Sequence, residues 1–382
     1  MKFCFVDRSI GPAIWRIVTP VALRLIAEGH QVDFVRLNDG RELAGPIPTA
    51  HVNVVDISVP LKKNFYQLMW QQILFAKGFR KYLAYHKPDV VHTHFAVPSI
   101  VARWVAAKEG VPLIVSTQHE IYSSMSFHYR WGLRFTERYC SAVTYVSNTV
   151  ASSFRRKAER LENTERGRKP IHVVIPNGVD VGAIREAIHA AVERAPARIV
   201  CAGRMVPVKG QFLLLRALKV ITGDYPKAQV VLIGSGPMEK ELRELVRTLG
   251  LESQVEFTGW LPQAEVLREM ASASLVVVPS SKVQEGFGLV LAEAIVCQTP
   301  LLVSDIPIFH EVLDAFPGRG EFFPEGDVTG LAEALKKHLE SDAEKKRLLP
   351  ALTGAEEDKL SSEKMVDSYL TLYRNLRVFR NN

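Results

Sequence analysis

The order of apolar runs is what most constrains this chain: a short strand-like run, a loop, a run at helical spacing, then another short strand. Lys2 to Asp7 alternates into a buried strand, and Gly11-Pro12 makes a turn. Ile14 to Ala27 then repeats apolar residues at helical spacing until Gly29-His30, and Gln31 to Leu37 forms a second strand. That order opens a doubly wound parallel α/β sheet. It recurs further on, where strand Arg198 to Ala202 precedes helix Phe212 to Thr222, and strand Val230 to Ile233 precedes helix Met238 to Leu249. A chain of 382 residues exceeds one ordinary core and suits two domains of roughly 150 to 200 residues each. We expect a first Rossmann-like domain at 1–190, completed by an amphipathic terminal helix at about 363–382, and a second at 191–362.

Composition narrows the function classes. Apolar residues are 47% and charged residues 23%, which is globular rather than disordered. No apolar run reaches the roughly 18 residues of a membrane span, and MKFCFVDRSIGP reads as a first strand rather than a signal peptide. Cys4, Cys140, Cys201 and Cys297 form no C-x-x-C pair, so neither a disulfide framework nor a zinc site is expected. The expected location is a reducing cytoplasm. Up to Glu186 there are 25 Lys+Arg against 15 Asp+Glu, leaving 23 against 26, so the first half carries +10 and the rest −3. This asymmetry points to an anionic partner for the first half, such as a membrane surface or a phosphorylated acceptor. Nucleic acid is not expected, because no aromatic-basic recognition module is present.

Two helices carry much of that charge. Asn64 to His86 is amphipathic, with Phe65, Leu68, Met69, Leu74, Phe79 and Leu83 as its core stripe. Lys77, Arg80, Lys81 and Lys87 either complement the helix dipole or face a membrane; both readings stand. In Phe127 to Ser141, Arg130, Arg134 and Arg138 share one face.

The chemistry concentrates where strands end. Strand Leu275 to Val278 runs into PSSKVQEGFGLVLAEAIVCQTP, with Glu285 before Gly286-Phe287-Gly288 and Glu293 eight positions further on. A carboxylate buried among aliphatic side chains needs a binding partner, and sugar hydroxyls qualify. Gly286 and Gly288 allow close backbone approach, and a helix beginning near Leu289 offers free N–H groups to an anion. After strand Arg198 to Ala202, Gly203 permits a tight exit, and Arg204 and Lys209 bring two cations suited to a diphosphate. Strand Val230 to Ile233 ends in Gly234-Ser235-Gly236-Pro237, and Val255 to Phe257 leads to Thr258-Gly259-Trp260-Leu261-Pro262. In the first half, Asp89 to Thr93 ends in His92-Thr93-His94, whose histidines are read as facing opposite ways and so as no metal site. Strand Leu113 to Thr117 is followed by Gln118-His119-Glu120.

The E-x7-E segment EGFGLVLAE, the G-R-x4-K-G of Gly203 to Gly210, the I-G-x-G-P turn, the T-x-H-E of Thr117 to Glu120 and IPNGVD together resemble retaining GT-B glycosyltransferases of family 4. The resemblance covers nearly the whole chain. It implies two Rossmann-like doubly wound α/β domains facing an interdomain cleft. It also implies transfer of a sugar from a nucleoside-diphosphate-sugar donor, with retention, to an acceptor hydroxyl.

Carried over residue by residue, Glu285 contacts the donor sugar, Glu293 the ribose, and the amides of Gly286, Phe287, Gly288 and Leu289 the diphosphate. Arg204 and Lys209 bind the pyrophosphate, Gly203 and Gly234 line its turns, Trp260 and Leu261 meet the base, and His119 lies near the transferred sugar. Gly11 stands in the first loop, where the family carries a Gly-Gly pair.

On this account the catalytic set is Arg204, Lys209, His119 and Glu285. The cations and helix-start amides stabilise the leaving diphosphate, so no metal or other cofactor is expected, and no D-x-D motif is present. The acceptor is a glycan, a lipid-linked or a small-molecule hydroxyl in cell-surface glycan or glycolipid synthesis, with peripheral contact to an anionic membrane. A nucleotide-sugar epimerase or hydrolase of the same fold, and a non-catalytic nucleotide-sugar-binding protein, are the alternatives.

Overall fold

The computed structural model describes all residues except 9–11, 41–51, 62–63, 157, 159–160, 162–169, 189–193, 282–284, 345–348 and 382. The chain forms two compact units, Met1–Asn177 with Ser362–Asn382, and Gly178–Ser361.

In the first unit, β1 (Lys2–Asp7), α1 (Pro12–Ala27), β2 (Gln31–Asn38), β3 (Asn53–Ser58), α2 (Phe65–His86), β4 (Val90–His94), α3 (Ser99–Lys108), β5 (Leu113–Gln118), α4 (Phe127–Glu137), β6 (Ala142–Tyr145), α5 (Asn148–Ser153) and β7 (Ile171–Val174) follow in order. All pairs are parallel and the strand order is β3-β2-β1-β4-β5-β6-β7. Every residue of β4 and β5 is buried, as expected for strands covered on both faces. Asn64 caps α2 by accepting from the Gln67 amide at 2.9 Å, and Lys87 closes the helix in the left-handed region at φ 47°.

The second unit holds α6 (Val181–Ile188), β8 (Ala195–Ala202), α7 (Gln211–Ile221), β9 (Gln229–Ile233), α8 (Glu239–Leu249), β10 (Val255–Gly259), α9 (Gln263–Ser272), β11 (Ala273–Val278), α10 (Leu289–Val296), β12 (Leu301–Ser304), α11 (Pro307–Leu313), β13 (Gly320–Phe323), α12 (Val328–Glu344) and α13 (Gly354–Leu360). Its strands are also parallel, in the order β10-β9-β8-β11-β12-β13. A core including Leu214, Leu218, Val230, Leu232, Val277 and Leu335 fills the space between this sheet and α7 and α12. The last helix, α14 (Ser362–Asn381), packs on α1 of the first unit.

Several expectations shift. The boundary read at residue 190 lies at 177 in the compact units, because α6 packs against α9 and α10 of the second unit. Strand β3, which no apolar run in the sequence announces, sits at the sheet edge with Asn53 donating to Asp33 at 2.9 Å. Helix α4 stops at Glu137 rather than Ser141. In α2 the core stripe is Gln71, Phe75, Phe79 and Leu83, while Met69 is 50% exposed; Gln71 Nε2 donates to the Pro60 carbonyl at 2.9 Å, and its Oε1 has no partner among the described residues. The side chain of Phe65 lies outside the described residues.

Candidate active site

Both sheets reverse direction of strand order at one point, between β1 and β4 in the first unit and between β8 and β11 in the second. In open α/β sheets the crevice outside the carboxyl ends at such a point receives the ligand.

In the second unit this point is built by three loops. Gly203 leaves β8 with its amide donating to Ile233 carbonyl oxygen at 2.9 Å, and the Met205 amide donates to Ser235 at 3.0 Å. A Cβ on Gly234, at φ +124°, would lie 2.4 Å from the Gly203 carbonyl oxygen, so only glycine lets the two loops close. Gly210, at φ +70°, is held as tightly: its Cβ would meet the Pro279 carbonyl oxygen at 1.9 Å. The Ser281 amide donates to Val208 at 2.9 Å, tying the third loop to the turn Pro207–Lys209.

These contacts bring Lys209 and Glu285 together. Lys209 Nζ donates to Glu285 Oε2 at 2.7 Å and to Oε1 at 3.1 Å, although 76 positions separate them. The pair is partly shielded, the side chains being 27% and 11% exposed. Arg204 lies in the same loop with its side chain exposed and, among the described residues, in no ion pair; Gln211 Nε2 donates to its carbonyl oxygen at 3.2 Å. Gly286, Phe287 and Gly288 are buried, and Gly288 at φ 82° caps α10, so the first amides of that helix, starting at Leu289, have no intrahelical acceptor.

Glu293 is 3% exposed on α10, and Gln263 Nε2 donates to its Oε1 at 2.9 Å. Sequence reasoning foresaw that this carboxylate needs a partner but not that Gln263 supplies one. Gly259 carbonyl oxygen accepts from the Gly234 amide at 2.8 Å, and beyond it Trp260 is 45% exposed and Leu261 half-buried.

In the first unit the carboxyl ends of β4 and β5 carry imidazoles. His92 and His94 do not face opposite ways: two positions apart on a strand, they share a face, with ring centroids 4.4 Å apart. His94 Nδ1 shares a hydrogen bond with His119 Nε2 at 3.0 Å, leaving His119 Nδ1 for an outside partner. His94 Nε2 has no hydrogen-bond partner among the described residues. His92 bonds Tyr373 hydroxyl from Nδ1 and Thr117 Oγ1 from Nε2, each at 2.7 Å. Burial lowers His92 and His119 from the usual imidazole range to about 3, and lowers His94 well below that range, so all three rings are neutral near pH 7. Burial also raises the Glu120 carboxyl. Gly11 lies outside the described residues. Among the described residues no three His, Cys, Asp or Glu side chains converge on a point that could hold a metal ion.

A fold of two parallel-sheet α/β units, one with glycine-lined loops around a lysine and a glutamate at the switch point, defines the GT-B class. Solved structures agree: a HepE protein of Anabaena, crystallised with UDP and glucose, superposes with a TM-score of 0.74 at 19% identity, covering 98% of this chain and 99% of that one. Residues 14–182 match the profile of Glycosyltransferase Family 4, and residues 185–350 that of Glycosyl transferases group 1. The chain belongs to the group 1 glycosyltransferases of family 4. It is 29% identical over 266 residues to a phosphatidyl-myo-inositol mannosyltransferase of Mycolicibacterium smegmatis, covering 69% of this chain and 65% of that protein. A D-inositol 3-phosphate glycosyltransferase of Streptomyces scabiei is 27% identical over 76% of this chain and 70% of its own length. The matches to the first phosphatidylinositol mannosyltransferases span about half to two thirds of those proteins, 48% to 65%.

Proposed function

We propose that this chain is a retaining hexosyltransferase that moves a sugar from a nucleoside-diphosphate-sugar donor to a hydroxyl acceptor in glycolipid or cell-surface glycan synthesis. The observation that carries the reading is the Lys209–Glu285 pair at the switch point of the second sheet. A sugar diphosphate presents, on the two sides of its anomeric bond, an anionic phosphate and a set of hydroxyls. A cation and a carboxylate about 3 Å apart match that pattern on both sides at once.

As the anomeric bond breaks, negative charge collects on the diphosphate while the sugar becomes oxocarbenium-like. Lys209, Arg204 and the first amides of α10 stabilise the leaving group, and Glu285 orients the sugar hydroxyls. Glu293, fixed by Gln263, receives ribose hydroxyls; Gly203, Gly234, Gly286, Phe287, Gly288 and Leu289 line the phosphate path; Trp260 and Leu261 border the base. His119 acts as a neutral hydrogen-bonding contact to the transferred sugar, because burial holds it uncharged. Fixed cations and amides carry the leaving-group charge, so we propose a reaction without a resident metal ion.

The relatives named for mannosyl transfer to phosphatidylinositol make GDP-mannose and an inositol-bearing lipid the first donor and acceptor to try, with UDP-glucose beside them. The purified chain is incubated with each donor, with and without phosphatidylinositol, in buffer containing EDTA. Acceptor-dependent release of nucleoside diphosphate, and a product whose anomeric configuration by NMR equals that of the donor, are expected. Release without glycosylated product would mean hydrolysis, and an inverted anomer would end the retaining assignment.

A further inference from the structure

Away from either switch point, one side of the first unit has an unusual surface. Helices α2, α3 and α4 pack in sequence, α2 on α3 and α3 on α4. The seat of α4 is fixed by Gly132, where a Cβ would fall 2.8 Å from the Ile100 side chain on α3, and by buried Leu133 and Thr136. That seating turns Phe127, Trp131 and Phe135, at i, i+4 and i+8, outward, where they are 74%, 61% and 43% exposed. Trp131 and Phe135 stack at 5.3 Å, and the Arg138 guanidinium lies 4.0 Å from the Phe135 ring centroid. On α2, Met69, Trp70 and Ile73 are likewise exposed, and α3 adds Trp104.

The exposed charges on these helices have one sign. Neither α2 nor α3 contains an aspartate or glutamate, and the one acid of α4, Glu137, is buried against Arg156 and His172 at 3.0 and 3.1 Å. Lys77, Lys81, Lys108, Arg134 and Arg138 are exposed. Exposed aromatic residues gathered on one face of a folded unit mark a contact surface. Interleaved with lysine and arginine, and with the carboxylate at the end of α3, Glu109, already paired to Arg80 of α2 at 2.8 Å, they suit the boundary between acidic headgroups and acyl chains. A second copy of this chain is disfavoured as the occupant, because the same cations would be set against one another.

We infer that the α2–α3–α4 face docks on an anionic phospholipid bilayer, with Trp131 and Phe135 entering the interface while Arg134 and Arg138 meet lipid phosphates. The inference does not rest on the donor assignment, since it concerns another surface and charge set. Its occupant is the bilayer surface, whatever the acceptor.

The test is co-sedimentation of the full chain with vesicles of phosphatidylcholine alone and with an equimolar mixture of phosphatidylcholine and phosphatidylglycerol. Binding to the mixture only, weakened by added salt, is expected. With each cation near the surface contributing about fivefold, R134Q/R138Q should bind about 25-fold more weakly. W131A/F135A should lose binding to the mixture, and brominated acyl chains should quench the tryptophan fluorescence of the unaltered protein. K209A should bind vesicles as the unaltered protein does, so failure here and failure of the transferase reading remain distinguishable. Equal binding to both vesicle types, absence of binding, or an unchanged R134Q/R138Q would overturn the inference. So would capture by an acidic protein in place of acidic vesicles.

Discussion

The two sheets solve the same topological problem with opposite electrostatics. Each reverses its strand order after one central strand, and each gathers polar side chains at the carboxyl ends beside that reversal. In the second unit those side chains are charged and partly open: Lys209 against Glu285, with Arg204 exposed nearby. In the first they are imidazoles held neutral by burial and braced by tyrosines of α14, Tyr373 on His92 and Tyr369 on Thr117, the latter at 3.2 Å. The charged point can meet a diphosphate. The neutral one can only offer or accept hydrogen bonds, and its dryness ties it to the stability of its unit.

The largest effect should come from removing charge at the open point. Lys209→Ala is expected to lower kcat/KM about 100-fold, on the order of 3 kcal/mol of transition-state stabilisation. Unchanged kcat/KM with a competent donor would remove Lys209 from the leaving-group site.

The second effect separates the units by pH. His92 and His119 sit near 3 when folded and near 6.5 when unfolded, so between these values the unfolded chain binds the extra protons. Their contribution is fully present above about pH 6.5 and is lost as pH falls toward about 3. Hydrogen exchange followed from pH 7 to 4 should therefore find β4 and β5 opening before β8 and β11. Earlier opening of the second unit would contradict the contrast.

The smallest effect tests the brace. Tyr373→Phe strands the Nδ1 of a buried ring and should lower stability by about 1 to 2 kcal/mol, read as a lower midpoint of urea unfolding for the first unit. An unchanged midpoint would mean that the helix packs without this bond.

How much of this could be read from sequence depends on how local the cause is. Strands such as Leu113–Gln118 are buried on both faces and announce themselves as apolar runs. Gly203 and Gly234 are legible because turns at strand ends call for glycine. The Lys209–Glu285 pair and the bond from Gln263 to Glu293 are not, since they join loops 76 and 30 positions apart that only the sheet aligns. Edge strand β3 escapes because its burial is shallow and its partners are polar. The misjudged orientation of His92 and His94 is different: a two-residue spacing on a strand already means one face. Met69 does not mark the core, because the apolar residues of α2 extend beyond its core stripe, the excess lying on the surface that also carries Trp70.

On the proposed function, the Lys209 and Glu285 loops grip the donor. Hydrogen exchange on the full chain, with whichever of GDP-mannose and UDP-glucose most raises its Tm, addresses this directly. Slower exchange confined in the second unit to 203–210, 234–236 and 285–291 is the predicted result. Thermal stabilisation without protection of these segments, or no stabilisation by either donor, would contradict it.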